Sequence, residues 1–535
     1  MAETNRVTPL IEAAEAFPAF EAAALDARRE ILFGMRLFEA NLPLYGDRAK
    51  AAGFETWAEL LAARAADGVD VRILLSDFEP TVATDLHRDA WVSIEGFNAA
   101  AEAAGADGQL AVIAGLHQGE LGRIARALFW PAVRFRLGGV ALKAESSGDL
   151  ELEDRPGLWA YFRRRGRSLA YHKRARMRLW PATHHQKLAV FDGEKAIVGG
   201  IDLARRMYDT AAHDRPAADT WHDVSVLVEG PAAAAARAHL HAEWNANTPR
   251  FNARATRMGA PRGAFLKTVS PIPDPARPPA GPETTGFLRT RSRRSRSPFA
   301  FGPKPHVVEI EQALVESIAK AERLIYLETQ FLRSPVIADA LVGAARRLEN
   351  GRLIVLLPAA PEDVAFNGNS NSDARHGEWL QAEAVAKVLR AWDDRAGVFA
   401  LAQPRSVAKA PEHPRALLEK APIVYIHAKV AIFDRAEAIV GSANLNGRSM
   451  RWDTETAVRW RDPEGVAAFL DRLWNNHFVE GAPGPQEDPL EAWRGRAASN
   501  FLADPSDRNG FILPYDQERA RAYGRRRFWI PTDML

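Results

Sequence analysis

Apolar and polar positions in the first part of the chain change repeatedly from a helical spacing to the pattern of a strand. Residues 12–27 predict a helix, and residues 30–39 (EILFGMRLFE) predict the strand that follows it. An alanine-rich helix at 57–66 precedes a second apolar strand at 69–75 (VDVRILL), and residues 94–106 predict a further helix. Helices that alternate with apolar strands in this way are typical of an α/β fold.

A hairpin and a longer strand come next. Residues 185–191 predict a strand, Asp192-Gly193 is a turn signal, and residues 196–198 predict the return strand. Residues 221–228 (WHDVSVLV) predict another strand, which is followed by a helix that ends near Trp244-Asn245.

The second half of the chain repeats this order of elements. Its predicted helices and strands before and after a second hairpin lie at residues 314–321, 324–331, 340–348, 353–357 and 455–460. The last predicted helix ends at Trp474-Asn475, which matches Trp244-Asn245 in the first half. Two Trp-Asn helix ends at matching places indicate an internal duplication.

The two halves are separated by a stretch of different composition. Residues 256–305 contain five closely spaced prolines and the run RTRSRRSRS at 289–297, which predicts a loop in a partly irregular linker. We therefore expect a first lobe at 1–255, a second lobe at 306–480 and a C-terminal extension at 481–535.

Composition is that of a globular protein without a strong overall charge. The 535 residues are 47% hydrophobic and 26% charged, with a net charge of +2, so attraction to phosphate must come from local clusters. The densest cluster, residues 163–178, is either a solvated charge run or a surface for an anionic substrate or lipid headgroup. The basic, aromatic end at 525–529 is read as a docked tail rather than an interfacial anchor.

Several classes of protein are excluded by the sequence. There are no cysteines, so disulfides, thiolate nucleophiles and cysteine-based zinc sites are ruled out. The first residues lack the pattern of a signal peptide, and the most apolar window, 125–140, is interrupted by Arg126, Arg134 and Arg136. We expect a cytoplasmic or peripheral membrane protein without a transmembrane segment, or one exported without a cleaved signal.

Each half contains the same arrangement of chemically active residues. The first copy comprises His185, Lys187, Asp192, Gly199, Gly200 and Asp202. The second copy begins 242 positions later (427 − 185) and comprises His427, Lys429, Asp434, Gly441, Ser442 and Asn444. Five shared offsets are hard to obtain by chance, so the two copies indicate one duplicated site.

The alternation of side chains along a strand sorts these residues. His185 and Lys187 share one face, whereas Asp192 lies at an odd offset and points the other way. The same holds for His427, Lys429 and Asp434. The histidines and lysines are therefore the candidates for catalysis, and each aspartate is expected to close its hairpin turn.

Two histidines and two lysines that converge on one cleft suit phosphoryl chemistry. The lysine cations, the Ser442 hydroxyl and the Asn444 amide, with Gly200 and Asp202 at the matching positions, would form a phosphate pocket. One imidazole would attack phosphorus, and the other would protonate the leaving oxygen and then activate water.

A histidine nucleophile must be held in one tautomer, most simply by a carboxylate. Asp223 and Glu455 are the candidates, because each lies at the start of the strand after its motif. No metal or other cofactor is required, since the lysines supply the charge. A metal site at His184-His185 lacks a second cluster of ligands, and His213, His222 and His477 are interpreted as structural.

The paired motifs, HHQKLAVFDGEKAIVGGIDL and HAKVAIFDRAEAIVGSANL, resemble the signature of the phospholipase D superfamily. Trp221-His222-Asp223 and Glu455 resemble the acidic residues that follow each motif. The segments 325–331 (IYLETQF) and 288–292 (LRTRS) are similar to two further family segments, although Thr329 stands where the family has asparagine.

The resemblance implies two pseudo-symmetric α/β/α sandwich lobes with the active site at their interface. It also implies a covalent phosphohistidine intermediate, with His185 as nucleophile and His427 as acid and base, and phosphatidyl transfer to water or an alcohol. The implied partner is a phospholipid at a membrane surface, and we expect a monomer.

Other activities of the same superfamily remain as alternatives. Nucleases of this type are often single-motif chains that dimerise, and cardiolipin synthases generally carry N-terminal membrane spans. The sequence therefore favours a phospholipase over a nucleic-acid enzyme or another phosphatidyltransferase. A non-catalytic lipid-binding module is disfavoured because both His-x-Lys pairs are intact.

Overall fold

Two β-sheets with the same strand order form the centre of the protein. The computed structural model describes residues 5–150, 152, 154–172, 178–258, 267–406 and 413–535. The strands are β1 (Arg6–Ile11), β2 (Glu30–Met35), β3 (Asp70–Ser76), β4 (Leu110–Gly115), β5 (Phe162–Arg165), β6 (Ser168–Tyr171), β7 (Lys187–Phe191), β8 (Lys195–Gly199), β9 (Trp221–His222), β10 (Val224–Glu229), β11 (Phe287–Arg293), β12 (Lys304–Val308), β13 (Leu324–Glu328), β14 (Arg352–Leu356), β15 (Ala396–Ala402), β16 (Leu417–Leu418), β17 (Ala421–Ile426), β18 (Val430–Phe433), β19 (Glu437–Gly441), β20 (Glu455–Arg461) and β21 (Ile512–Pro514). The α-helices are α1 (Ala13–Asp26), α2 (Asp47–Ala51), α3 (Trp57–Ala66), α4 (Thr84–Ala103), α5 (Arg123–Ser147), α6 (Pro231–Met258), α7 (Pro282–Thr285), α8 (Glu309–Lys320), α9 (Pro335–Arg347), α10 (Glu362–Ala365), α11 (Ser372–Trp392), α12 (Gly447–Arg451), α13 (Pro463–Phe478), α14 (Pro489–Leu502) and α15 (Gln517–Tyr523).

The strand order shows the duplication directly. The first sheet runs β1-β10-β8-β7-β2-β3-β4, and the second sheet contains the matching series β11-β20-β19-β18-β13-β14-β15. In both sheets the last three strands are parallel, and the first strand of the motif hairpin pairs antiparallel with the nearest of them. The α/β fold class with two repeated lobes is thus confirmed.

Apolar packing joins the two sheets. On β7, Ala189 and Phe191 face a core shared with the helices of the first half, such as Trp57 of α3. Leu188 and Val190 face the opposite way, into a second core that also contains Val430 and Ile432 of β18 and residues of α6 and α13. The motif hairpins therefore lie where the lobes meet, and the alternation along each strand separates the two cores.

The two motif aspartates lie at the hairpin turns. Each directly follows the first strand of its hairpin, whereas the motif histidine precedes that strand. Asp192 accepts the backbone N–H groups of Arg28, Arg29 and Glu30 at 2.9, 2.7 and 2.9 Å. Asp434 accepts the N–H groups of residues 322, 323 and 324 at 2.8, 2.7 and 2.8 Å. Each carboxylate thereby fixes the turn of its hairpin to the chain that enters the neighbouring parallel strand.

The arginine-serine run is not a loop throughout, contrary to the sequence-based expectation. Residues Phe287–Arg293 form β11, which pairs antiparallel with β20 in the second sheet. Leu288, Thr290 and Ser292 are buried, whereas the arginines between them are partly or fully exposed. The arginines masked a strand whose alternate residues face the interior.

Other predicted boundaries shift by several residues. The strand predicted at 30–39 ends at Met35, and the helix predicted at 94–106 begins at Thr84. The cationic cluster at 163–178 contains the hairpin β5–β6, and its residues 173–177 lie outside the described residues. In the described ranges, none of the helices combines the length with the apolarity that a bilayer-spanning helix needs.

The C-terminal extension docks on the second lobe. Strand β21 pairs antiparallel with β15, and the Arg525 N–H donates to the carbonyl of Arg375 at 2.9 Å. The tail is docked as expected, yet the rings of Phe528 and Trp529 remain 81% and 59% exposed.

Replacing Asp192 or Asp434 with alanine should reduce the free energy of unfolding by about 1–3 kcal/mol, because backbone donors lose their acceptor. Burial alone would raise the pKa of Asp192, but the three N–H donors outweigh it and hold that pKa below its usual value. The contribution of Asp192 is therefore present above the unfolded pKa and disappears as the pH falls through the lower native pKa.

Urea denaturation at neutral and acidic pH measures this difference. The exposed Asp214 is the matched control, and its alanine variant should change the free energy by less than about 0.5 kcal/mol. An Asp192→Ala loss no larger than the control would show that the turn does not depend on the carboxylate.

Candidate active site

The backbone of each motif histidine is held by the opposite half of the chain. The His185 N–H donates to the carbonyl of Thr454 at 2.9 Å, just before β7 begins at Lys187. The His427 N–H donates to the carbonyl of His222 at 2.8 Å, where β9 of the first half pairs parallel with β17. These two hydrogen bonds fix the position of each histidine backbone relative to the other lobe.

This crossed backbone register brings each histidine beside the acid of the other half. Glu455 directly follows Thr454, and its carboxylate lies 2.9 and 3.1 Å from His185 Nδ1. Asp223 directly follows His222, and its Oδ2 lies 2.6 Å from His427 Nδ1. The structure therefore brings the four predicted groups together as two crossed carboxylate–histidine pairs.

The two lysines repeat one arrangement. Lys187 Nζ donates to the carbonyl of His185 at 2.7 Å and lies 3.6 Å from Asp202 Oδ2. Lys429 Nζ donates to the carbonyl of His427. Each lysine thus lies on the same side of its strand as the histidine two positions earlier.

Burial sets the protonation of the site. It lowers the pKa values of His185 and His427 well below their usual range, and the neighbouring lysines act in the same direction. It also lowers the pKa of Lys429 to about 7. Burial raises the pKa of Asp223 to about 7 and that of Glu455 to about 8, although the lysine charges oppose this. Burial thus favours the uncharged form of all four groups in the two carboxylate–histidine pairs.

Three of the four residues expected to bind substrate have other partners. The Ser442 hydroxyl donates to Glu455 Oε2 at 2.5 Å, so it orients that carboxylate instead of facing a phosphate. A Cβ on Gly200 would lie 2.0 Å from Asp223 Oδ1, so the glycine makes room for that carboxylate. Asp202 accepts the Leu37 N–H at 2.9 Å beside Lys187.

The fourth, Asn444, keeps the expected position. It lines a cavity of about 810 Å³ that reaches His185. Its buried Oδ1 has no hydrogen-bond partner among the described residues. A buried polar atom of this kind, facing a cavity, is available to a ligand. Ser442 and Asn444 thus differ, because the Ser442 hydroxyl binds Glu455 whereas the Asn444 Oδ1 can still accept a hydrogen bond.

Arg36 is a cation that the sequence interpretation missed. It follows the carboxyl end of β2, lines the cavity, and lies 3.9 Å from Asp202 Oδ2. Its charge contributes to the lowered pKa values of both motif histidines. Its position in the sequence could have indicated this role, because Arg36 directly follows a parallel strand, and α/β proteins commonly bind ligands at the carboxyl ends of such strands.

A buried network beside the site joins the lobes. His222 is bonded through Nδ1 to Glu12 at 2.5 Å and through Nε2 to Glu328 at 2.8 Å, and Glu328 also contacts His477 at 2.8 Å. Burial alone would lower the pKa of His222, but the two carboxylates outweigh it and raise that pKa well above its usual range. With His213 these residues form two groups with metal-like spacing, yet His222 uses both nitrogens in ion pairs that a metal would displace.

Comparison with known proteins gives one family model and many curated relatives. The model described as "Cardiolipin synthase, PLD-like domain" matches residues 314–476, which include the second motif. Phospholipase D1 of Schizosaccharomyces pombe is 25% identical over 387 residues, covering 58% of this chain and 26% of that protein. Phospholipase D alpha 1 of Carica papaya is 24% identical over 405 residues, covering 55% and 49%. The chain therefore spans about half or less of the length of these relatives.

Among solved structures, a phosphatidylserine synthase of Haemophilus influenzae aligns at 10% identity and a TM-score of 0.49, over 88% of this chain and 85% of that one. A phospholipase D family member, NUC of Salmonella typhimurium, aligns at 16% identity and a TM-score of 0.22, over 32% of this chain and 87% of that one. The family model and the curated relatives agree with the duplicated histidine–lysine motifs. Over more than half of its length, the chain is similar to curated phospholipases D, and its second half matches a PLD-like domain.

Proposed function

We propose that this chain is a phospholipase D-type phosphodiesterase, which hydrolyses phosphatidylcholine-like glycerophospholipids to phosphatidic acid and a free headgroup. The observation that carries the proposal is the pair of crossed carboxylate–histidine contacts, with a lysine beside each histidine. Two oriented imidazoles and buried cations are the groups that an in-line displacement at phosphorus needs.

His185 is the proposed nucleophile. It lines the cavity, and its side chain is 13% exposed against 7% for His427. When Glu455 is ionised and accepts the Nδ1–H of His185, the Nε2 lone pair attacks phosphorus and the bond to the headgroup oxygen breaks. The product of this step is a phosphohistidine that carries the phosphatidyl group.

His427 is the proposed acid and base. The Asp223–His427 pair takes up an additional proton near pH 7, because burial raises the pKa of Asp223 to about 7. That proton goes to the leaving headgroup oxygen. His427 then removes a proton from water, whose oxygen attacks the phosphohistidine and releases phosphatidic acid and the free His185.

The buried cations and the cavity support a lipid phosphodiester. Lys187, Arg36 and the protonated form of Lys429 would balance the phosphoryl charge, and the Nδ2–H of Asn444 would donate to a phosphoryl oxygen. Apolar side chains form part of the same cavity wall: Phe78, Val82, Leu86, Phe129 and Val133. An apolar wall suits acyl chains better than a polynucleotide.

We propose a first lobe at 1–255, a linker at 256–305, a second lobe at 306–480 and an extension at 481–535. Within the linker, β11 pairs with β20 of the second lobe. Because one chain supplies both motifs and both acids, we propose that it acts as a monomer, at the surface of a membrane. The second candidate function is phosphatidyl transfer, which the description of the matching family model favours.

An assay on mixed phospholipids with a primary alcohol tests substrate and reaction class together. We expect phosphatidic acid and phosphatidyl-alcohol, because water and alcohol compete for the same phosphohistidine. Cleavage of a parallel DNA sample without any lipid product would contradict the proposal and indicate a nuclease.

Replacing His185 or His427 with alanine should lower phospholipid turnover by about 10²–10⁴-fold or more, because each removes an essential proton or nucleophile. With radiolabelled lipid, acid-labile label should remain on the wild type and be absent from His185→Ala. The exposed His306 provides the matched alanine control, with expected wild-type turnover. Label on His185→Ala would assign the nucleophile to another residue.

Replacing Glu455 with glutamine should lower turnover by about 10²–10⁴-fold, because the amide holds His185 in the wrong tautomer. The same variant should gain stability relative to the wild type as the pH rises. The native pKa of Glu455 is raised from 4.5 to about 8, so its contribution to stability falls as the pH rises between these values.

Thermal unfolding at about pH 5 and about pH 9 measures this change. Glu480, an exposed glutamate, gives the matched glutamine control, whose difference from the wild type should not vary with pH. A Glu455→Gln variant that loses stability at alkaline pH would contradict the assigned protonation.

A further inference from the structure

Helix α5 carries two opposite apolar faces. One face is buried against the protein and comprises Ala125, Val133, Leu137 and Ala144. The other face is a stripe of Leu128, Phe135 and Leu142, which are 67%, 83% and 69% exposed. These three residues are seven positions apart, about two helical turns, so they lie along one line. Three large exposed apolar side chains in line are unusual for a surface in contact with water alone.

Cations border this stripe on both sides. At about 100° per residue, Arg123 and Arg134 lie on one side of it, and Arg136 and Lys143 lie on the other. All four are exposed. An apolar stripe between rows of basic residues is the pattern of a helix that lies in the interface of an anionic bilayer.

The cationic hairpin β5–β6 is attached to the same helix. Its Tyr171 ring lies 5.9 Å from that of Trp130 and 5.7 Å from the guanidinium of Arg134. The Leu169 N–H donates to Glu145 at 2.7 Å. The hairpin adds four exposed arginines to this side of the molecule: Arg163, Arg164, Arg165 and Arg167.

The stripe also borders the catalytic cavity. Ala132 lies four residues after Leu128 and three before Phe135, so it is a neighbour of both on the helix surface. Ala132 lines the cavity that reaches His185, and so does Trp529 of the C-terminal tail, whose neighbour Phe528 is 81% exposed. A surface that contacts the stripe therefore lies beside the cavity wall.

We propose that the α5 stripe docks on a bilayer that contains anionic phospholipid, with Leu128, Phe135 and Leu142 inserted between headgroups. This inference rests on the proposed function, since the same bilayer would supply the substrate. A second copy of the chain fits the stripe less well, because two-fold pairing of the helix would bring its flanking cations together. An anionic surface neutralises them.

Vesicle sedimentation tests the docking. The wild type should bind vesicles of equal parts phosphatidylcholine and phosphatidylglycerol more tightly than pure phosphatidylcholine, and added salt should weaken the binding. Replacing all three stripe residues with serine should weaken partitioning by about tenfold or more, because apolar insertion is lost. Replacing Arg123 and Lys143 with glutamine should remove most of the preference for the anionic vesicles.

Leu502→Ser is the matched control, because Leu502 is 85% exposed on the separate helix α14. It should leave partitioning unchanged. Turnover of a water-soluble short-chain phosphodiester should be the same in the stripe variant as in the wild type, since the stripe residues lie outside the cavity lining.

The outcomes separate docking from catalysis. Stripe-dependent vesicle binding without phospholipid turnover would overturn the proposed function and leave the docking surface standing. Unchanged partitioning of the stripe variant, or an equal loss in Leu502→Ser, would overturn the docking surface. So would a wild-type dimer in light scattering that the stripe substitutions convert to a monomer.

Discussion

The site depends on a crossed pairing, in which the carboxylate of each half of the chain contacts the histidine of the other half. Glu455 of the second half holds His185, and Asp223 of the first half holds His427. Both contacts are set by backbone hydrogen bonds one residue earlier, at Thr454 and His222. Each histidine is oriented by an acid of the other lobe, so the proposed chemistry requires the docked arrangement of both. The apolar core between the sheets provides that docking.

The buried ion pairs around His222 restrict this docking to one relative position of the lobes. Apolar packing alone tolerates small sliding movements, whereas an imidazolium between Glu12 and Glu328 fixes one register of the lobes. Removing one partner from such a buried set typically costs about 3–5 kcal/mol, because an unpaired charge remains. His222 ends β9, and the next residue is Asp223, so the strand that aligns the lobes also positions the acid.

The sequence was sufficient for the fold class, the repeated elements and the turn role of Asp192, because all three follow from local periodicity and short spacings. It could not reveal which acid holds which histidine, since His185 and Glu455 meet only through lobe docking across 270 positions. The roles of Ser442 and Arg36 depend on the same contacts. The strand β11 was missed because arginines on its outward face concealed the alternation. Catalytic assignments and domain boundaries remain predictions.

One difference between the duplicated motifs has a further consequence. Gly200 leaves space that Asp223 occupies, whereas the matching Ser442 donates a hydroxyl to Glu455. A side chain at Gly200 would collide with Asp223, so the two halves are no longer interchangeable. A perfectly two-fold site would accept a phosphodiester in either of two opposed orientations with equal energy. The broken symmetry gives the cleft a polarity, so that the entering and leaving oxygens of the proposed diester substrate would meet different surroundings.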